Sequence, residues 1–563
     1  MGLVDDILIA RGYKSQQDRD RFLSPDYERD SHDPFLLPDM DKAVERLVRA
    51  RADGEVVVIY GDYDIDGLTA STILFDSFEK FGINASVYIP NRFVEGYGMT
   101  VEAVDKIADI GGQLIVTVDC GSLSHKEIAH AKGLGIDVIV TDHHAVADTK
   151  SSDVAMINPK WLLQKYPDDY ENLVLKKTSK RKIYPFLDLA GCGVAFKLVQ
   201  ALQTRLEGLP AGHEKWLLDL VAFGTVCDVV QLRDENRMFV YWGLQVMQKT
   251  RRIGLKMLMA VAKVEAGSLN ARSLGFALGP RVNASGRLET AQYALDLLTA
   301  TDRARAHELA ELLDVMNTER RAEQDRIFEA ADLQAQELSG DQVLVVSDAS
   351  WSHGIIGIVA AKLLEKHHKP TFVLQELGDG TSKGSARSFG DFSAVDAIRS
   401  TESFLIKGGG HKLAAGVTLQ TKNLATWRRA INAYWRRLNL RDQAAYFLPV
   451  ADVSIVDFSQ VNESLWNDLT RLEPYGNGNS EPVFCATSVV VSGRRTMGAD
   501  NQHVKYTFTD GQRTFQAVAW NAAEDFVAEI GERVDVWFSL TLNEWRGQRS
   551  VEGRLLRILS ETS

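Results

Sequence analysis

Carboxylate and imidazole side chains recur in this chain directly after short apolar segments. Those that could act together are Asp62, Asp64 and Asp66 in GDYDIDG, Asp119 in TVDCG, Asp142, His143 and His144 in VTDHH, and Asp228 in GTVCDVV. A single Asp at the end of a strand usually forms a turn or caps a helix. Acids gathered in this number would repel one another severely unless cations neutralised them. The set therefore predicts a metal site.

The mixture of ligand types indicates which ions such a site would take. Carboxylates combined with imidazole suit Mn²⁺, and Mg²⁺ can use the same acids with additional waters. Zinc remains an alternative, less favoured because the set contains no thiolate. Two divalent ions that share a carboxylate can bind phosphate oxygens, activate water as the nucleophile and stabilise the leaving oxygen. Phosphoester hydrolysis is therefore the predicted chemistry.

Two segments of the sequence also partly match other known motifs. GDYDIDG matches the opening of an EF-hand calcium loop, but Ile73 stands where that loop requires a bidentate Glu. Gly191 and Gly193 resemble the start of a dinucleotide-binding fingerprint, but Phe196 occupies the place of its third small residue. Helix packing is the favoured explanation of these two glycines.

The elements that must position the acids follow a regular pattern. Between residues 56 and 159, five short apolar segments alternate with helical stretches, which is typical of a parallel sheet flanked by helices. Ligands bind beyond the carboxyl ends of the strands in such sheets. Three strands would therefore direct their acids and imidazoles to one crevice. Asp228 follows a later apolar stretch and is expected to join them.

The remaining sequence divides into further units, as a length of 563 residues requires. Residues 1–50 are expected to form a helical preamble to a catalytic domain over 51–300. Apolar residues at helical spacing predict one long linking helix over 301–340. Residues 341–440 are expected to form a second α/β domain. Successive strand-like segments over 446–563 predict a small β-barrel.

Composition is that of a soluble globular protein, with 45% hydrophobic and 25% charged residues. The net charge of −12 argues against nucleic-acid binding on average, although acidic metal ligands can coexist with a locally basic groove. No apolar segment approaches the length of a bilayer span, and the N-terminus is acidic where a signal peptide is basic. We expect a cytoplasmic protein without membrane association.

In their order along the chain, the four acidic segments resemble the metal motifs of the DHH phosphoesterase superfamily, whose name matches Asp142-His143-His144. The resemblance implies that the metal ligands are Asp64, Asp66, Asp119, His143 and Asp228. Asp119 would bridge two ions, Mn²⁺ or Mg²⁺. Asp62 and His144 would complete the site as weaker ligands or support it by hydrogen bonds to the ligands. His144 could instead protonate or steady the leaving group.

Polar and basic segments outside these motifs supply candidates for phosphate binding. They are Arg92 in IPNRFVEGYG, Arg281 and Arg287 in LGPRVNASGRLETA, Ser385 and Arg387 in KGSARS, and His411 in KGGGHKLAAG. The segment with Arg281 is expected to be loop-like, and isolated arginines of this kind are usually plain surface residues. The KGSARS and KGGGHKLAAG segments resemble the domain associated with DHH proteins. By that resemblance, Arg92, Ser385 and Arg387 would hold a terminal 5′-phosphate. His411 would reach the scissile phosphate, and the segment of Arg281 would face the active cleft.

The similarity extends over nearly the whole chain, in the order of the RecJ family within the DHH superfamily. LEPYGNGNSEPVF resembles the segment that leads into the OB fold of that family, which binds single strands. Two departures are Ser122, where TVDCGI is usual, and Ser352, in a stretch that commonly reads WHxG. The implied fold is an α/β DHH catalytic domain, a long linking helix, an α/β DHH-associated domain and a C-terminal OB barrel.

The RecJ resemblance implies a 5′ to 3′ exonuclease that degrades single-stranded DNA to 5′-mononucleotides in recombination and repair. We expect a monomer that works beside single-strand-binding protein and a helicase. One alternative is a nano-RNase or cyclic-dinucleotide phosphodiesterase, which shares the DHH site but is typically shorter and lacks the OB module. Another is a non-catalytic scaffold that only binds single strands, against which the complete set of acids and histidines argues.

Overall fold

The computed structural model describes residues 2–96, 98–146, 154–176, 182–440, 443–545 and 548–560. The chain forms two compact units. The first comprises Met1–Pro280, Ala294–His307 and Pro449–Ser563, and the second comprises Arg281–Tyr293 and Glu308–Leu448.

Four helices precede the first strand: α1 (Leu3–Ala10), α2 (Gln16–Leu23), α3 (Tyr27–Asp30) and α4 (Met40–Asp53). Ile7 of α1 and Phe22 of α2 are buried in the core of the C-terminal barrel. The Arg11 guanidinium fixes the same junction, because it donates hydrogen bonds of 2.8 Å to Asp452 Oδ1 and to Asn479 Oδ1. The two ends of the chain therefore share one hydrophobic core.

The predicted parallel sheet is present and has the strand order β2-β1-β3-β4-β5. Its strands are β1 (Val57–Gly61), β2 (Ala85–Tyr88), β3 (Leu114–Val118), β4 (Asp137–Thr141) and β5 (Ala155–Ile157). The accompanying helices are α5 (Ile65–Phe81), α6 (Val101–Asp109), α7 (His125–Gly133), α8 (Leu162–Lys165) and α9 (Pro167–Lys176). β1 and β3 are buried along their whole length, as continuous apolar strands require. Because β1, β3 and β4 are neighbours, their carboxyl ends lie side by side.

A largely helical region follows. It contains α10 (Gly191–Gln203), α11 (Leu218–Cys227), α12 (Asp234–Gln248), α13 (Ile253–Val261), a π-helical turn (Ser273–Leu278), α14 (Gly279–Leu288) and α15 (Gln292–Leu298). The prediction of a loop at LGPRVNASGRLETA was wrong, since α14 covers most of it. Pro280 lies in the first turn of α14, where its fixed φ suits a helix. A Cβ at Gly279 would stand 2.7 Å from Cys227 Sγ, so the glycine permits close packing.

A buried ion pair joins α10 to α12 in this region. Lys197 and Glu235 are both fully buried, and Lys197 Nζ donates a 2.8 Å hydrogen bond to Glu235 Oε1. Lys197 also donates to the carbonyl of His32. The ammonium group is thus paired on two sides inside the protein.

We expect Lys197→Met to lower the free energy of unfolding by about 3–5 kcal/mol, because it leaves the Glu235 carboxylate buried without its counter-charge. Replacing both partners, as Lys197→Met with Glu235→Leu, should cost much less. Chemical denaturation measures both, with the exposed Lys256→Met on α13 as control. Equal stability of wild type and Lys197→Met would contradict the prediction.

The predicted long helix is α16 (Arg303–Glu337), which runs for 35 residues. The second unit contains a mixed sheet with the order β6-β7-β8-β10-β9, in which β6 and β7 are parallel and the other neighbours antiparallel. Its strands are β6 (Leu344–Asp348), β7 (Thr371–Glu376), β8 (Thr381–Arg387), β9 (Leu405–Gly410) and β10 (Ala414–Gln420). Its further helices are α17 (Ile356–His367), α18 (Ala394–Ser400) and α19 (Leu424–Leu438). β9 is the exposed edge strand and ends in the glycines of KGGGH.

The predicted barrel is confirmed in the last part of the chain. It consists of β11 (Val453–Ser454), α20 (Glu463–Thr470), β12 (Phe484–Met497), β13 (His503–Thr509), β14 (Thr514–Ala519), β15 (Arg533–Trp545) and β16 (Gln548–Ser560). The sheet closes because β12 pairs with both β13 and β15. Among the described residues, no helix has the length and apolar character needed to cross a bilayer.

Candidate metal centre

The GDYDIDG segment connects β1 to α5, and its acids have different structural roles. Asp64 is the N-cap of α5, and its Oδ1 accepts hydrogen bonds of 3.0 Å from Asp66 N and 3.3 Å from Gly67 N. The ordinary capping role of an Asp therefore holds here for one of the two Asp64 oxygens. A Cβ at Gly67 would stand 2.5 Å from the carbonyl oxygen of Asp62, so only glycine permits this tight turn.

Asp66 is completely buried against the N-terminus of α10. Its carboxylate accepts hydrogen bonds of 2.6 Å from Gly191 N and 2.9 Å from Cys192 N. Free amides at a helix N-terminus stabilise an anion, so the Gly-Cys-Gly sequence serves a carboxylate of the protein here. A Cβ at Gly191 would also stand 2.7 Å from Asp119 Cβ, which explains why the residue is glycine.

Asp119 follows β3 in a left-handed backbone conformation, with φ of +59°. Asp adopts this conformation more readily than most residues with a side chain. The turn places Asp119 Oδ1 at 3.1 Å from His143 Nε2 and at 3.7 Å from His144 Nδ1. The ends of β3 and β4 thus converge, as the sequence predicted.

His143 is the meeting point of acids from three different elements. Besides Asp119, its Nε2 lies 3.5 Å from Asp228 Oδ2 and 3.8 Å from Asp66 Oδ2. Asp228 is the C-cap of α11, a helix rather than a strand. Four segments that are distant in sequence therefore supply one cluster.

Asp142 has a role that sequence reasoning did not assign. It is buried, and it accepts hydrogen bonds from Ser122 N, His143 N and His144 N at 2.9, 2.7 and 3.0 Å, and contacts His144 Nδ1 at 2.8 Å. These bonds fix the backbone of both histidines and the ring of His144. Burial alone would raise the pKa of Asp142, but hydrogen bonding and charge from His144 outweigh it and hold the pKa well below its usual range. The position of Asp142 directly before the two histidines in VTDHH was the sequence feature that could have indicated this role.

Asn158, after β5, is a second residue that sequence reasoning missed. Its buried amide donates hydrogen bonds of 2.8 Å to Ser122 Oγ and 2.9 Å to His144 O. The hydroxyl of Ser122, at one of the two positions where the chain departs from the usual sequence, thus takes part in the support of His144. A polar residue directly after a buried strand was the only signal for Asn158.

Burial and mutual repulsion act on the titration of these groups. Burial, followed by the charge of neighbouring acids, raises the pKa of Asp119 and Asp62 well above the usual range and that of Asp228 to about 9. Burial lowers the pKa of His143 to about 4, so its imidazole is neutral at pH 7. For His144, the hydrogen bond to Asp142 overcomes the effect of burial and raises the pKa. The raised pKa values of the carboxyl groups mean that their ionised forms are unfavourable here unless positive charge is added.

Three buried atoms of the cluster make no hydrogen bond within the described part of the chain: Asp119 Oδ1, His143 Nε2 and Asp228 Oδ2. Such atoms are rare in proteins and require another partner. Possible ligand atoms lie within 4.8 Å of one another in three overlapping groups: Asp119-His143-His144, Asp66-His143-Asp228 and Asp62-Asp64-Asp119. Oxygen and imidazole donors of this kind fit divalent cations such as Mn²⁺. Because Asp119 belongs to two groups, the arrangement can hold two adjacent ions.

Positive charge lies at the edge of the cluster. The guanidinium carbon of Arg92 is 5.2 Å from the centre of the Tyr63 ring, within GDYDIDG, and the charge of Arg92 partly offsets the effect of burial on the pKa of Asp62. Lys160, which sequence reasoning did not single out, similarly opposes the rise in the pKa of Asp228. Both basic side chains therefore act electrostatically on acids of the cluster.

The other phosphate-binding candidates belong to the second unit. Ser385 and Arg387 lie on β8 beside the first turn of α17, where a Cβ at Gly357 would be 3.3 Å from Arg387 Nη2 and 3.5 Å from Ser385 Oγ. A hydroxyl, a guanidinium and the amides of a helix N-terminus are groups that can each donate a hydrogen bond to an anion. His411 lies in the turn after β9, and its N–H donates to the carbonyl of Ala414, the residue paired with Arg387. The sheet register therefore brings His411 to the same end as Arg387.

Arg281 and Arg287 are engaged within the second unit. Arg281 Nε donates a 2.8 Å hydrogen bond to Asp314 Oδ1. Arg287 Nη1 donates one of 3.3 Å to the carbonyl of Gly354. Both arginines lie on α14.

Sequence models of protein families match three stretches of the chain: the N-terminal domain of the DHH family over 56–225, the DHHA1 domain over 340–437 and the RecJ OB domain over 453–556. The single-stranded-DNA-specific exonuclease RecJ of Escherichia coli is 32% identical, with 98% of this chain and 94% of that protein covered. The RecJ of Bacillus subtilis is 34% identical, with 97% of this chain and 66% of that protein covered.

A solved structure of RecJ from Thermus thermophilus in complex with Mn²⁺ has a TM-score of 0.82 at 28% identity and covers 99% of this chain and 76% of that one. The likeness in sequence and the likeness in structure each extend over nearly the whole chain. This chain therefore belongs to the RecJ family of the DHH superfamily.

Proposed function

We propose that this protein is a metal-dependent exonuclease that degrades single-stranded DNA from its 5′ end to 5′-mononucleotides, in DNA recombination and repair. The observation that carries the proposal is the buried Asp and His cluster, three of whose ligand atoms make no hydrogen bond to any residue that the structure describes. It lies at the carboxyl edge of a parallel sheet, in a chain related to single-stranded-DNA-specific exonucleases.

The cofactor we propose is a pair of Mn²⁺ or Mg²⁺ ions. The proposed ligands are Asp64, Asp66, Asp119, His143 and Asp228. Bound ions of this kind would neutralise phosphate charge and activate water for hydrolysis. Asp62 and His144 flank the ligands. Asp142 contacts His144 Nδ1 at 2.8 Å and so orients the ring of His144 beside the ligands.

For the nucleic acid, we propose that Arg92, Ser385 and Arg387 bind the terminal 5′-phosphate and that His411 contacts the scissile phosphate. The support for Ser385 and Arg387 is their shared position beside the first turn of α17. Arg281 and Arg287 are proposed as further contacts to the strand. Binding of a terminal phosphate would explain why such an enzyme acts from an end.

Arg387→Ala should reduce the preference for 5′-phosphorylated over 5′-hydroxyl ends by roughly tenfold to a hundredfold, the effect of losing one charge-assisted hydrogen bond. The ratio of kcat/KM on the two substrates measures it. Arg399→Ala, a charge loss on α18 of the same unit, should leave the ratio unchanged. A ratio equal to that of wild type in Arg387→Ala would remove Arg387 from the phosphate site.

The proposed function is tested with 5′-labelled single-stranded DNA, duplex DNA and short RNA, each with Mn²⁺ or with EDTA. Release of labelled mononucleotide from the single strand alone, and only with the metal, is the expected result. Hydrolysis of dinucleotides alone would favour a nano-RNase or cyclic-dinucleotide phosphodiesterase. Single-strand binding without any hydrolysis would favour a scaffold.

We also propose that the protein acts in the cytoplasm as a monomer, beside a single-strand-binding protein and a helicase. Light scattering during size-exclusion chromatography tests the monomer. Titration with purified single-strand-binding protein tests the partnership.

A further inference from the structure

The loop that leads into the barrel contacts the segment directly after Asp228. Within this loop, residues 473–479, Asn477 makes two hydrogen bonds across to that segment. Its Nδ2 donates to the carbonyl of Val229 at 2.7 Å, and its carbonyl accepts from Leu232 N at 2.7 Å. One residue of the barrel lead-in loop thus holds both ends of the turn that follows the proposed ligand.

Two glycines permit this close contact. A Cβ at Gly476 would stand 2.7 Å from Leu232 Cδ1. Gly478 has φ of +75°, and a Cβ there would stand 3.2 Å from Gln231 Cβ. The PYGNGN sequence is therefore shaped to fit the turn after α11.

The turn needs such support because Val229 is in the left-handed region, with φ of +61°. This conformation is a strained one for a β-branched residue. The side chain of Val229 is 64% exposed, so its own packing does not hold it there. The hydrogen bonds from Asn477 act on the backbone at this point. Because Val229 directly follows Asp228, the backbone conformation of Val229 sets the direction in which the chain continues from Asp228.

The lead-in loop is itself fixed from other directions. Asn479 Nδ2 donates to the carbonyls of Leu472 and Pro474, and Asn479 Oδ1 accepts from Arg11 Nη1. Arg237 on α12 donates a 2.9 Å hydrogen bond to the carbonyl of Glu473. A loop anchored in this way can impose a conformation on a neighbouring turn.

We propose that Asn477 is a positioning residue of the metal centre, which keeps Asp228 in place by holding Val229 in its left-handed conformation. The inference rests on the proposed role of Asp228 as a ligand. It makes the barrel part of the catalytic apparatus, in addition to any binding of DNA.

The test is the affinity for Mn²⁺, measured by calorimetry on the full chain without DNA. Asn477→Ala should raise the Kd for Mn²⁺ about threefold to tenfold, the range expected for one lost hydrogen bond. Asn467→Ala, the same change at an exposed position of α20, should leave the Kd unchanged. Asn477 is itself exposed, so its replacement should leave the thermal unfolding temperature in EDTA close to that of wild type.

A second variant separates positioning from a general loss of structure. Asn tolerates positive φ far better than Val, so Val229→Asn in the Asn477→Ala background should restore most of the affinity for Mn²⁺. A wild-type Kd in Asn477→Ala, or a weakened Kd that Val229→Asn does not restore, would overturn the inference. A wild-type protein that neither binds Mn²⁺ nor degrades single strands would instead overturn the proposed function, and this inference with it.

Discussion

Asp119→Asn is expected to lower kcat/KM for single-stranded DNA by about a thousandfold or more. Among the residues that the structure describes, Asp119 is the one carboxylate shared by two of the candidate ligand groups, so its loss should weaken both of the proposed ion sites. Divalent ions supply several kcal/mol of transition-state stabilisation in such reactions, and each 1.36 kcal/mol is about a factor of ten in rate. Asn retains the size of Asp and also accepts a φ of +59°, so the backbone turn should survive. Binding of the strand in EDTA should be unchanged.

The same variant is expected to lose activity but not stability. Burial and the nearby charges of Asp66 and Asp64 raise the pKa of Asp119 well above its usual range. A carboxyl whose pKa is higher in the folded than in the unfolded protein stabilises the fold at low pH and loses that contribution as pH rises through the folded value. An ionised carboxylate is unfavourable at this buried position, and Asn cannot ionise, so Asp119→Asn should unfold in EDTA at the wild-type temperature or above. The stabilisation by added Mn²⁺ should be lost.

Differential scanning fluorimetry with EDTA and with Mn²⁺ measures both parts, alongside the exonuclease assay. Asp109→Asn, an exposed acid at the end of α6, is the matched control and should behave as wild type. Normal turnover by Asp119→Asn would refute the assignment of this residue.

Asp142→Asn should show the opposite pattern of stability for the same chemical change. Asp142 accepts hydrogen bonds from three backbone amides and contacts the His144 ring, and its pKa is held well below the usual range. A group of this kind stabilises the fold above its unfolded pKa and loses that contribution only as pH falls through the folded value. Asn would turn an amide donor toward these donors. The unfolding temperature in EDTA should therefore fall.

The affinity of Asp142→Asn for Mn²⁺ should fall about tenfold to a hundredfold, as is typical when a group that orients metal ligands is lost. Calorimetry with Mn²⁺ and fluorimetry in EDTA measure the two effects, again with Asp109→Asn as the control. A rise in unfolding temperature for Asp142→Asn would contradict this prediction. It would show that the hydrogen bonds that Asp142 accepts do not stabilise its carboxylate.

Much of the architecture was predictable because its signals are local. Buried strands that alternate with helices indicate a parallel sheet, and sequence alone placed the ends of β1, β3 and β4 at one edge. Successive strand-like segments likewise indicated the barrel. The prediction was wrong at α14, where Asn283 and Gly286 between two arginines favoured a loop-like segment. Local residue types do not record the close packing of Gly279 against Cys227, which exists only in the folded chain.

The sequence predicted which residues form the site, but not the structural role of each residue. Asp64 is a helix cap and a candidate metal ligand at once, whereas the sequence alone presents these two roles as alternatives. Asn158 and Lys160 carry no motif that distinguishes them from ordinary polar residues after a strand. The attachment of α1 and α2 to the barrel could not be foreseen, since it joins the two ends of the chain.

By itself, the sequence determined which acids and imidazoles end the strands, in what order they occur, and hence that a metal-dependent phosphoesterase of the DHH type was to be expected. Only the tertiary structure decided which carboxylates are satisfied and which need a cation. Asp142 and Asp119 are the same residue type after neighbouring strands. Asp142 accepts several hydrogen bonds, whereas Asp119 Oδ1 accepts none from the described part of the chain. That difference depends on burial and on hydrogen bonds between residues far apart in the chain, which no local pattern of residues records.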